Sequence, residues 1–90
     1  MDHLNYEFQA SEGDVAEVVL DRAANVLLMD DSSYDDYNHG RSFRYHGGYT
    51  TKSPVRLAVP KPGHWHLVVD LGGDAGQVRA TARLLSGATV

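Results

Sequence analysis

The 90 residues include no cysteine. Disulfides and thiolate metal sites are therefore excluded, and small secreted domains usually need such staples. No apolar run approaches the roughly 18 residues that a membrane-spanning helix requires. The opening Met-Asp-His-Leu-Asn is acidic, with neither a basic region nor an apolar run after it, which argues against a signal peptide. The expectation is a cytoplasmic protein with no membrane contact. No internal repeat, low-complexity segment or interdomain linker is visible, so residues 1–90 are read as one domain with one modest core and a frayed tail at 86–90.

Charge is scarce on one side of each half. Residues 1–40 hold ten acids and a single base, Arg22, for a balance of −9; residues 41–90 hold seven bases and two acids, Asp70 and Asp74, for +5. The net −4 argues against bulk nucleic-acid binding. An acidic half and a basic half attract one another when their strands interleave. The alternative is a basic sheet face of Arg44, Arg56, Arg79 and Arg83 meeting an anionic partner.

What is present is alternation. From Gly63 to Gly72, Trp65, Leu67, Val69 and Leu71 share one face and His64, His66, Val68 and Asp70 the other, which reads as a strand with a core side and a polar surface side. His3–Gln9 alternates likewise, with His3, Asn5, Glu7 and Gln9 on its wet face. Further strands are expected at Val15–Leu20, Asn25–Asp30, Arg41–Gly48, Val55–Val59 and Gln77–Leu85. The Val-Leu-Leu-Met run at 26–29 is apolar on both faces, as for a strand covered on both sides or a subunit contact, and a homodimer stays open. Asp30–Gly40 departs from the pattern. Ser32 or Ser33 can cap a short helical turn over 32–39, with Asp35 and Asp36 in its first turn, Tyr34 and Tyr37 on one face and Gly40 as its stop. It is expected to lie over a sandwich edge. About seven short strands between turn signals make the fold class all-β, a compact antiparallel sandwich of jelly-roll-like type.

The runs Ser53-Pro-Val-Arg-Leu-Ala-Val-Pro60, Gly63-His-Trp-His-Leu-Val-Val-Asp-Leu-Gly-Gly73 and Gly76-Gln-Val-Arg-Ala80 resemble the bacterial domain-of-unknown-function family 1883. So do Ala24-Asn-Val26, the Asp31–Gly40 stretch with its tyrosines, and Tyr45-His-Gly-Gly48. The resemblance covers about residues 3–85. It implies a compact β-sandwich-like domain, in a family whose members stand alone or are fused to Toll/interleukin-1-receptor-type signalling domains. It implies no activity, cofactor or site residue.

For chemistry, His64 and His66 are two strand positions apart, so their side chains emerge from one face at roughly 6–7 Å. A transition metal can bridge them if a third ligand approaches: Asp70, His46 or a carboxylate from the acidic half. Asp70 is otherwise expected in a cross-strand pair with Arg79 or Arg83. The serines and threonines form no nucleophile elbow, and Gly72-Gly-Asp-Ala-Gly76 has no Walker-type lysine. The expectation is a non-catalytic interaction or sensor module without cofactor. Its protein or small-molecule ligand is expected at Tyr34, Tyr37, Arg41, Arg44 and Tyr49, since tyrosines near a loop-rich edge make good contact surfaces. The alternative is a metal or small-anion site on the face of His64, His66 and Asp70.

Overall fold

The computed structural model describes residues 3–72 and 76–86. The middle of the expected Gly72–Gly76 turn and the expected tail beyond Ser86 lie outside the described residues. In chain order the elements are β1 (Leu4–Ala10), β2 (Val15–Leu20), β3 (Ala24–Asp30), α1 (Asp31–Asn38), β4 (His46–Thr50), β5 (Val55–Ala58), β6 (Gly63–Asp70) and β7 (Ala80–Leu85). They form a four-stranded sheet, β1-β6-β3-β4, and a three-stranded sheet, β5-β2-β7. Every pairing is antiparallel.

The pairing is nested: β3 with β4, β2 with β5, β1 with β6. A long ribbon folded at its middle and rolled up gives this order, which is the wrapping expected of a jelly-roll-like sandwich. Strand β7 joins the free side of β2. The alternating apolar residues of both sheets meet in one core containing Val18, Val26, Leu28, Trp65, Leu67 and Val69, against which the short side chains Ala80 and Ala82 of β7 pack. Fully burying residues such as Leu28 and Leu67 contributes about 1.5–3 kcal/mol each. The two sheets are also tied by the Tyr6 hydroxyl of β1, which donates to the Ala80 carbonyl at 2.8 Å.

The outer face of the four-stranded sheet is not the solvated surface that its alternation suggests. Val68 is fully buried, and His66 and Asp70 are 5 % and 4 % exposed. The cover is α1, which packs on β3 and β6, the two inner strands, and not over an edge. Leu27, Met29 and Val68 form a second small apolar cluster closed by Tyr34, Tyr37 and Phe43. An eight-residue helix is too short to persist alone, so this packing holds it. The both-sided apolar character of Val26–Met29 thus reflects a strand between two layers.

The helix cap also differs in detail. Asp30, and not Ser32 or Ser33, is the N-cap: its carboxylate accepts the Ser33 N–H at 2.8 Å. At the other end the Arg41 N–H reaches the Asp36 carbonyl and the Gly40 N–H the Tyr37 carbonyl, with Gly40 at φ +70, a Schellman closure. That closure, together with the Arg41 ion pairs to Asp35 and Asp36 at 2.8 Å, takes up the segment expected to begin a strand at Arg41. The strand starts later, at His46, and runs through Gly47 and Gly48 instead of stopping there.

Gly47 explains why. It sits at φ +111, and a Cβ there would lie 2.2 Å from the Val26 carbonyl oxygen. Only glycine lets β4 approach β3 in this register. Replacing Gly47 by Ala is expected to cost about 2–4 kcal/mol through backbone strain and overpacking, measured by urea denaturation. A cost below about 1 kcal/mol would contradict this account of the β3–β4 pairing.

Candidate functional site

The outward residues of β1 and β6 meet because the two strands pair with Glu7 opposite His66 and Gln9 opposite His64. Glu7 and His64 are then diagonal neighbours on one face, within reach of long side chains. His64 Nε2 lies 3.4 Å from Glu7 Oε1. One ligand atom from each of Glu7, His64 and His66 can be chosen so that all lie within 4.8 Å of one another.

The fourth member comes from above. Asp31 is the first residue of α1, and its Oδ1 accepts from both His64 Nδ1 and His66 Nε2 at 2.6 Å. These bonds hold its carboxyl below the usual aspartate range, with His64 the larger cause and His66 the second. On its other side His66 Nδ1 faces the Asn5 amide oxygen at 3.2 Å. Both nitrogens of this buried imidazole therefore face acceptor oxygens, and the cluster holds two carboxylates. Two imidazoles and two carboxylates gathered in this way form a donor set that a cation can engage. The Tyr34 ring stacks on the His66 ring at 4.1 Å and 12°, and its hydroxyl shares a hydrogen bond with His3 Nε2 at 2.9 Å.

Asp70 is not part of this cluster. It lies four positions further along β6, where its carboxylate accepts from Asn25 Nδ2, Tyr37 O–H and Gly72 N–H at 2.9, 2.6 and 2.9 Å. Burial first, and the Asp70 carboxylate second, push the Tyr37 hydroxyl above its ordinary value. Nor does Asp70 pair with Arg79 or Arg83, which approach or belong to β7 in the other sheet. His46 is directed at the edge of Trp65 and does not join the cluster either.

The expected contact residues divide. Tyr34 and Tyr37 are drawn beneath the helix, and Arg41 is spent on Asp35 and Asp36. Arg44 and Tyr49 are exposed, Tyr49 at 69 %, as is Tyr45. Of the basic sheet face, Arg56 and Arg83 come together, both bound to Glu17.

Glu7, Asp31 and Glu17 were not singled out by sequence. Glu7 was legible as polar-face, but its neighbours depend on the β1–β6 register. Asp31 needed the helix to begin one residue after Asp30.

Two outcomes follow. Replacing Tyr37 by Phe leaves buried Asp70 one donor short and is expected to cost about 1–3 kcal/mol in denaturant unfolding. Asp31 has a depressed folded-state value, so its stabilisation is present above the ordinary 3.8 and is lost as pH falls through the depressed value. The stability gap between wild type and Asp31→Asn should therefore close in acid, as read by thermal melts across pH. A gap that widens below pH 3.8 contradicts the assignment.

Among the described residues no helix is long and apolar enough to cross a membrane. No curated protein and no solved structure matches the chain. The family described as Domain of unknown function (DUF1883) matches residues 1–87, carrying both the histidine strand and the helix that covers it, and the chain belongs to that family.

Proposed function

We propose that this domain is a non-catalytic sensor module whose ligand is a divalent transition-metal ion, zinc in the first instance, held by Glu7, His64 and His66. The observation that carries this reading is the convergence of two imidazoles and a carboxylate within 4.8 Å on one rigid sheet face. Two nitrogens and one oxygen make a donor set suited to zinc, which takes three protein ligands plus an open fourth position. Tetrahedral zinc at about 2.1 Å from each donor sets donors about 3.4 Å apart. The Glu7–His64 distance already has that value. The remaining closure falls to rotation of the Glu7 and His64 side chains, both of them partly exposed. Asp31 either orients the imidazoles or exchanges its hydrogen bonds for the metal. Beside the cluster lies an open cleft of about 290 Å³, bordered by Asp31, Lys61 and His64, a shape that suits sensing. Fusion of family members to signalling domains, implied by the resemblance above, fits a sensor role.

Isothermal titration with zinc chloride and native mass spectrometry test this. The expected result is one zinc per chain at micromolar concentration, lost in His64→Ala/His66→Ala and weakened about 10–100-fold in Glu7→Gln. Ligation needs deprotonated imidazoles, so affinity should fall as pH drops from about 7.5 to about 5.5. Absence of a stoichiometric zinc increment in the wild type removes the reading.

A second reading rests on exposed Arg44, Tyr45 and Tyr49, on and just before β4 at the edge of its sheet. Here the module contacts a partner protein through that edge. Tyr49→Ala and Arg44→Ala are then expected to abolish partner capture while changing stability by less than about 0.5 kcal/mol. Capture that survives both replacements counts against the edge.

A further inference from the structure

The outer face of the three-stranded sheet, on the side of the molecule away from α1, carries a separate arrangement. Glu17 lies on the central strand β2 and points outward, since Ala16 and Val18 point into the core. Its direct cross-strand partners are Arg56 on β5 and Arg83 on β7. Arg83 Nε–H donates to one carboxylate oxygen at 2.6 Å and Arg56 Nε–H to the other at 2.8 Å. The Glu17 side chain is 6 % exposed, while those of Arg56 and Arg83 are 60 % and 69 % exposed. The carboxylate is thus a buried anchor beneath two solvent-facing guanidinium groups. They hold it below the ordinary glutamate range, Arg83 more than Arg56, so it stays ionised.

One carboxylate neutralises one of the two cations. The other outward positions of these strands are Val15, Val19, Ala58, Thr81 and Leu85, none of them acidic. The face keeps one net positive charge. Each guanidinium gives Glu17 only its Nε–H, and neither has another partner among the described residues. What remains on each is the Nη1/Nη2 edge, a planar fork that matches oxyanions bidentately. The two arginines spring from strands on either side of β2, about 10 Å apart at their bases, and are pulled toward one another by their shared carboxylate.

From this geometry we infer that Arg56 and Arg83 form a phosphate-binding site in which Glu17 is the positioning residue. A carboxylate ligand would be filled by a single fork. A phosphate group offers three oxygens and up to two negative charges, which uses both forks and the surplus positive charge. The phosphate is either free or carried on a serine side chain of a partner, and the chemistry recognised is the same. This site shares no residue with the histidine cluster, so neither assignment rests on the other.

The test is titration of the full chain with inorganic phosphate at constant ionic strength, following the Arg56 and Arg83 Nε–Hε signals by NMR. A parallel arm uses a phosphoserine peptide against its unphosphorylated parent. Saturable shifts confined to those two signals are expected. Arg56→Lys and Arg83→Lys keep the charge but lose the fork, and each is expected to weaken binding about tenfold. Tighter binding of the peptide assigns the phosphate to a partner protein, and equal or tighter binding of the free ion assigns it to a small anion. Glu17→Gln separates positioning from simple attraction. It adds positive charge to the face, yet a site held in shape by Glu17 binds more weakly without it. No saturable shift in either arm, undiminished binding by the lysine variants, or tighter binding by Glu17→Gln overturns the inference. The lysine variants keep the test decisive if Glu17→Gln does not fold.

Discussion

The structure depends on keeping β6 covered on both faces while its outer face carries polar groups. Toward the sandwich core it presents Trp65, Leu67 and Val69; toward the helix it presents His66, Val68 and Asp70. A buried imidazole or carboxylate without partners costs several kcal/mol, so this strand is viable only beneath an element that brings hydrogen bonds with it. α1 does so with three residues: Asp31 answers His64 and His66, Tyr34 lies flat on His66, and Tyr37 answers Asp70. No buried side-chain polar atom among the described residues is left without a partner. The helix is thus both an apolar cover and a source of partners, and the metal-type cluster lies at its first residue because that is where cover and sheet meet.

The acidic first half and basic second half find their explanation in the same interleaving. Glu17 from the first half lies between Arg56 and Arg83 from the second, while Glu7 and Asp31 meet His64 and His66. Segments far apart in sequence become neighbours through antiparallel pairing, and opposite charge there favours the native register over slips. Arg41 is the exception: it binds Asp35 and Asp36 just before it and serves the helix end.

Much of the fold was legible because strand periodicity is a local signal. The alternation in β1, β6 and β7, the glycine and proline punctuation, and the both-sided apolarity of β3 are written in consecutive residues. The solvent state of a polar face is not. His66 and Asp70 look like a wetted surface until something is placed over them, and the covering element was a weakly apolar eight-residue segment with two tyrosines. The site was half legible for the same reason. Two strand positions put His64 and His66 on one face, but Glu7 and Asp31 come from elements 57 and 33 residues from His64, fixed only by pairing and by the helix start. Gly47-Gly48 misled because glycine usually ends a strand. Here close approach of the Val26 carbonyl demands it within one.

The nested pairing also orders assembly. Partners in β3 and β4 are 18 to 26 residues apart, those in β2 and β5 37 to 43, and those in β1 and β6 53 to 65. Closing the inner pair brings the next strands near one another, so each outer pairing closes a short effective loop instead of its full sequence separation. Zipping from the middle outward therefore lowers the entropic cost of pairing β1 with β6. With β1 comes Glu7, which completes the histidine cluster. A chain in which β1 is not yet paired has the helix and both histidines but lacks Glu7, so the proposed metal ligands come together only when the roll has closed.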